Sequence, residues 1–337
     1  MTSPPDAAPA VNSASKQFFT KVGNQLAPLA FLITLCIILS LTSQNFATRD
    51  NIKQIAVQAA VVAILACGQT AVILCGNIDL SVGATMAFSG IAAAQMMNLH
   101  GWGVWPAVAV ALLSGLVLGA INGLVTAYGK IPSFIVTLGT MGIWVGFGGI
   151  ISHSQNVSNQ ASGFDVFGYG EFLGSKTRDG LPYAIIIMFG TALLVHMALS
   201  RTSWGRGIYA IGGNREAARL SGIRINKQLI TVFTLSGLLA GIAAVVNISR
   251  ASVATKEAGL GLELDAVAAT VVGGTSLFGG QGGIPGTIVG AFLIYTIRNG
   301  LALMGKGPDE QRVIIGMVVI LAVLWDRFGP GKKRATN

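Results

Sequence analysis

Charge is what this 337-residue sequence has least of: Asp, Glu, Lys and Arg make up 10% of it, against about 25% in soluble domains. So few charges cannot coat a water-facing surface. Disorder is excluded by the opposite count, because 52% of the residues are hydrophobic and disordered chains are poor in apolar residues. Cysteine is scarce. Cys36, Cys67 and Cys75 all lie in apolar stretches with no C-x-x-C, and read as small core residues, neither bridged nor metal-bound. The three histidines, His100, His153 and His196, have no metal-ligand spacing. There is no G-x-x-x-x-G-K-[ST]: Gly129-Lys130 runs into Ile131, and Gly305-Lys306 into Gly307. The chain therefore holds no ATP through a P-loop. No nucleophile–base constellation is readable, so no catalytic residue, metal or bound cofactor is assigned. Strand alternation of the outer-membrane barrel type is also missing.

What is present is apolar length. Stretches free of Asp, Glu, Lys and Arg run over 22–48, 54–78, 80–129, 131–164, 180–200, 228–249, 266–297 and 313–325. A membrane crossing needs roughly 20 mostly apolar residues. The 80–129 stretch is too long for one helix and breaks at His100-Gly101-Trp102-Gly103-Val104-Trp105-Pro106, a run of turn formers and interface-seeking Trp. The 266–297 stretch divides at Gly279-Gly280-Gln281-Gly282-Gly283, its second helix running on to Met304. The fold class that follows is an all-α polytopic membrane protein, a bundle of about ten transmembrane helices with interruptions. Residues 1–24 read as a disordered tail, 25–328 as the membrane domain and 329–337 as a basic tail. The first apolar run starts late and is long enough to span, so it reads as a crossing and not as a signal peptide.

Glycine supplies 45 residues, and recurs at spacing four in Gly115/Gly119/Gly123, Gly142/Gly146, Gly237/Gly241 and Gly286/Gly290. That spacing lets helix backbones approach closely in lipid. Threading ten crossings with both termini cytoplasmic puts 13 basic residues inside and eight outside, as the positive-inside rule requires. The net charge of +9 is thus a topology signal, not a nucleic-acid footprint.

Charged residues within apolar windows are functional candidates. Asp79 lies in Cys75-Gly76-Asn77-Ile78-Asp79-Leu80-Ser81-Val82-Gly83. There Gly76 and Asn77 can break a helix, and Asp79 and Ser81 can cap the next one. Broken helices survive at membrane depth where they are buried or line a cavity, so Asn77, Asp79 and Ser81 are path candidates, with a capping role for Asp79 equally open. Phe134, Thr137 and Met141 share one face of the fifth span and join them on weaker grounds. Glu263 and Asp265 could cap a pore-side helix in the same way, and Arg298 needs a carboxylate partner that the sequence does not name. The loop at about 200–228 carries six basic residues and one acid. Asn214 is a good N-cap, Glu216 suits a first turn and Gly222 a C-terminal stop, giving about two turns of helix. Ala217, Ala218 and Leu220 would form a flat apolar patch rimmed by Arg215 and Arg219. So short a helix, unstable alone, suggests docking into another protein.

Three of these segments carry a resemblance. Glu216-Ala217-Ala218-x-x-x-Gly222 is similar to the EAA loop of ABC-importer membrane subunits. The chain further resembles the permeases of ribose/xylose/galactose-type monosaccharide ABC importers in Arg206–Asn214, in Ile78-Asp79-Leu80-Ser81-Val82-Gly83 and in Leu264–Leu277. The likeness covers roughly residues 25–328; one departure is Asn77, where the family usually has Gly. The resemblance implies a multi-pass transport subunit of the bacterial inner membrane, paired as a homodimer or heterodimer, and no enzyme. It implies a cytoplasmic ATPase with fused nucleotide domains that binds ATP and Mg, and a periplasmic sugar-binding protein. Residues 214–222 would be the coupling helix. Lipid is the remaining partner, and nucleic acid is not one. Other solutes (a polyol, inositol, a furanone signal or an amino acid) and a secondary transporter stay open as alternatives.

Overall fold

A computed structural model describes residues 11–158, 161–174 and 180–328 of the chain. Thirteen helices follow in order: α1 (Val11–Thr42), α2 (Arg49–Leu74), α3 (Val82–His100), α4 (Val104–Gly129), α5 (Ser133–Ile151), α6 (Val166–Tyr169), α7 (Tyr183–Arg201), α8 (Ser203–Gly213), α9 (Arg215–Leu220), α10 (Ile225–Ala251), α11 (Leu262–Val272), α12 (Ile284–Leu303) and α13 (Pro308–Phe328). Six of them, α2, α4, α5, α7, α10 and α12, are long and apolar enough to cross a membrane. The chain is thus a multi-pass helical membrane protein.

Each apolar window of the sequence contains a helix, but several expectations need correction. The window opening at Ala266 does not hold a full span. Its first helix, α11, starts at Leu262 and is 11 residues long, about 16 Å against a hydrocarbon core of about 30 Å. Gly273 and Gly274 end it, and the following segment carries four glycines with positive φ, at 274, 279, 280 and 282. Helix α1 begins at Val11, inside the stretch expected to be a disordered tail, because no proline interrupts 10–27; residues 1–10 and the basic tail 329–337 lie outside the described residues. The architecture is also not purely helical. Two short antiparallel pairs join the loops, β1 (Val157–Ser158) with β4 (Val253–Ala254) and β2 (Glu171–Phe172) with β3 (Leu181–Pro182). The second is pinned by an ion pair from Lys53 to Glu171.

The core is built around α2. Its apolar window is 89% buried, and that of α10 67%, whereas those of α4, α5, α7 and α12 are buried by 28–39% only. The outer helices therefore turn apolar side chains such as Leu113, Val117, Phe189 and Leu193 outward, as a lipid-facing wall does. Glycine spacing decides the closest contacts. On α4, a Cβ at Gly119 would lie 2.9 Å from Gly237 Cα of α10, and one at Gly123 2.7 Å from Ile230 Cα. Such contacts are closed to every larger residue. Gly286 of α12 meets Gly273, the residue that follows α11, and Gly290 meets Ala269 of α11 in the same way. Gly142 and Gly146 differ: among the described residues nothing lies within 4 Å of where a Cβ would stand. Hydroxyls and amides join the same helices, with Thr70 and Thr287 2.7 Å apart and a reciprocal amide pair between Asn51 and Asn299.

Candidate functional site

The polar knot between α2 and α3 is a non-helical segment whose Asp79 and Ser81 are buried. Every backbone N–H from Asn77 to Ser81 has an acceptor. Asn77 N–H donates to Val72 O at 3.1 Å. Ile78 and Leu80 donate to the hydroxyls of Ser133 and Thr137 on α5, at 3.1 and 3.0 Å. The Gln69 amide of α2, in the orientation that satisfies both its ends, donates to Asp79 O and accepts from Asp79 N–H. Ser81 N–H donates to Asp79 Oδ1 at 2.9 Å. Buried backbone without water demands this accounting.

Asp79 is 2% exposed. Its Oδ1 also accepts from Ser81 Oγ at 2.6 Å, and its Oδ2 from Ser236 Oγ of α10 at 3.0 Å. Asn122 of α4 donates to Ser81 Oγ at 2.7 Å. Neither Asp79 nor Ser81 caps α3, whose N-terminus receives no side-chain cap bond. The expected capping role gives way to a clamp that ties the unwound segment to α10 directly and, through Ser81, to α4. Gln69, Asn122, Ser133 and Ser236 complete this hub. Sequence reasoning missed them because lone polar residues in apolar helices carry no local pattern. The expected shared face of α5 also divides. Thr137 is fully buried in the hub, Met141 packs beside Ala84, Leu118 and Trp144, and Phe134 is half exposed.

Helix α11 starts beside α3. Gly83 and Gly259 stand backbone to backbone, and a Cβ on Gly83 would also lie 2.6 Å from Glu263 Oε2. Glu263 accepts from Gly261 N–H at 3.1 Å, just before the helix. Asp265 is no cap; it lies within α11 and receives both hydrogen bonds from Arg298 of α12, at 2.7 and 2.8 Å. That pair names the partner of Arg298, and the guanidinium also lies 5.9 Å from the Tyr295 ring centroid.

The basic loop forms two helices, not one. Thr202 caps α8, accepting from Gly205 N–H, and Trp204 Nε1 donates to Thr231 at 2.7 Å. The Tyr209 hydroxyl donates to Gly282 O at 2.9 Å, fixing α8 to the glycine-rich segment after α11. Asn214 then caps α9, its Oδ1 accepting from Ala217 N–H at 2.9 Å. At the other end Ile223 N–H donates to Ala218 O and Gly222 N–H to Arg219 O, with Gly222 at φ +82°. This is a Schellman stop. Arg219 bonds Glu216 through two nitrogens, the nearer contact being 2.6 Å, and this hydrogen bond holds the Glu216 carboxyl below the usual carboxylate range. The expected flat patch is split: Ala218 is buried and seats α9 on the bundle, while Leu220 is 74% exposed.

Between α9, the α4–α5 turn and the Gly76-Asn77-Ile78 bend lies an open cavity of about 930 Å³. Asn77, Phe134, Arg215 and Arg219 reach it. Asp79, Ser81, Thr137 and Met141 do not line it.

A family model described as the permease component of the branched-chain amino acid transport system matches residues 51–323. The ribose import permease protein of Escherichia coli is 40% identical over 319 residues, covering 93% of this chain and 97% of that protein. That of Bacillus subtilis is 40% identical over 313 residues, 92% and 94% of the two chains. The D-allose transport system permease protein of Escherichia coli is 38% identical over 299 residues, 88% and 89%. No solved structure matches. The chain belongs to this permease-component family, is similar to these monosaccharide import permeases, and is a membrane transport subunit, not an enzyme.

Proposed function

We propose that this chain is the membrane-spanning permease subunit of an ABC importer for a monosaccharide, a ribose-like pentose foremost. The observation that carries the reading is 40% identity to a ribose import permease over 93% of this chain and 97% of that one. A periplasmic binding protein delivers the sugar. A cytoplasmic ATPase with fused nucleotide domains binds ATP and Mg and drives the cycle. Two copies of the chain pair in the bacterial inner membrane, with ten crossings and both termini cytoplasmic. In that threading α11 and its glycine-rich extension make one crossing together. The positions of the capped helix α9 and of the exposed Leu220, Arg215 and Arg219 support α9 as the coupling helix, with Asn214, Glu216, Ala217, Ala218 and Gly222 shaping it. Asn77 and Phe134 line the inner end of the path, and the Asp79 hub holds the bend beside it.

A second reading, an amino acid permease, is favoured by the description of the family model alone. Uptake into cells in which this permease and its neighbouring transport components are the sole route tests the two. Ribose uptake, out-competed by unlabelled ribose and not by leucine, supports the sugar reading. Leucine uptake without sugar uptake overturns it.

A further inference from the structure

We infer that the cavity between α9 and the α4–α5 turn is a binding site for a small phosphate-bearing anion. Lys130, Arg215, Arg219 and Arg224 line it, with no carboxylate among the lining residues. Arg219 is engaged by Glu216, whereas Lys130, Arg215 and Arg224 have no ion-pair partner among the described residues. The positive-inside rule places cations on this side of a membrane protein, but it does not make them converge on one concavity.

Two helix N-termini face the same space. Pro132 and Ser133 open α5, and Arg224 and Ile225 open α10; neither start is capped by a side chain. Each presents free N–H groups and the positive end of a helix dipole, favouring an anion. A neutral sugar in transit needs hydroxyl partners and no such field. A phosphate group uses both features: guanidinium forks and helix N–H groups. The same chemistry is offered by a soluble phosphate ester and by a phospholipid headgroup. The inference does not depend on α9 docking an ATPase, because it is read on the permease alone.

The test uses the full chain in nanodiscs, by thermal unfolding and direct binding titration. Inorganic phosphate and a small sugar phosphate are titrated in phosphatidylcholine discs, with the unphosphorylated sugar as control. A parallel set of discs contains phosphatidylglycerol. The variants are Lys130→Asn with Arg224→Gln, Arg224→Gln alone should the pair fail to fold, and Lys227→Gln as an exposed cation outside the cavity. Asn is chosen because Lys130 has φ 56° and Asn tolerates that region. Saturable protection by the phosphate compounds in phosphatidylcholine discs, weakened about tenfold in the cavity variants and unchanged in Lys227→Gln, supports a soluble ligand. Protection by phosphatidylglycerol alone, with the same variant pattern, supports a headgroup. Absence of both effects, or equal loss in Lys227→Gln, overturns the inference.

Discussion

At the scale of the residue, Asp79 carries the most structural weight. A buried carboxylate that accepts from Ser81 N–H, Ser81 Oγ and Ser236 Oγ fixes the bend without lining the cavity. Removing it leaves buried donors unpaired, which costs about 1–3 kcal/mol each. Asp79→Ala should therefore destabilise the folded chain by roughly 3 kcal/mol, and Asp79→Asn, which keeps one acceptor oxygen, by clearly less. Thermal unfolding of the purified permease reads both. Equal melting of wild type and Asp79→Ala would show that the clamp contributes nothing. Glu216 makes the opposite case, because it is exposed. Its folded-state pKa is lowered by Arg219, so its pairing is intact above the ordinary carboxylate pKa and fades as the pH falls through the lowered value. Transport coupling through α9 should accordingly hold from neutral to mildly acidic pH and weaken only below the ordinary carboxylate range, and Glu216→Gln should remove that acid-side dependence when ATP-driven uptake is followed from neutral pH down through that range.

At the scale of the element, close glycine contact separates two kinds of helix face that look alike in sequence. Gly119 of α4 meets the backbone of α10, while Gly142 of α5 has open space. Gly119→Val should abolish monodisperse, folded protein, since an inserted side chain has nowhere to go. Gly142→Val should leave insertion and folding of the single chain intact. Size-exclusion profiles of the two variants check this, and similar profiles would refute the packing argument. For α9, Asn214→Ala removes the side-chain N-cap and should cost about 1 kcal/mol locally, lowering uptake with unchanged membrane insertion. Sequence legibility follows the same division. Asn214 and Gly222 mark helix ends through chemistry local to a few residues, so α9 was readable to within a residue. The apolar windows likewise located the long helices. The half-length of α11 was not readable, because Ala266–Val272 is as apolar as a true span and only the tertiary turn at Gly273-Gly274 ends it. The hydrogen-bond partners of the bend, Gln69, Ser133, Thr137 and Ser236, are contributed from helices up to 157 positions distant from Asp79, and no local pattern can announce such pairings.

At the scale of the whole molecule, a buried α2–α10 core is wrapped by helices with apolar outer faces. The non-helical segments 75–81 and 273–283 approach α8, since a Cβ on Gly76 would lie 4.0 Å from Gly212 Cα and the Tyr209 hydroxyl donates to Gly282 O. Helix α8, which leads directly into α9, thus touches both interrupted segments. This continuity connects the proposed coupling helix to the bend beside the cavity. The central claim is that a separate ATPase drives a sugar through this subunit by acting on α9. The measurement that tests it most directly is radiolabelled ribose uptake into proteoliposomes holding the permease, its ATPase and its binding protein, with wild-type α9 and with Glu216→Lys. The account predicts uptake that requires ATP and all three components, and that is lost in Glu216→Lys while the protein still inserts and its ATPase still hydrolyses ATP. Uptake by the permease alone under an ion gradient, or undiminished uptake in Glu216→Lys, would contradict it.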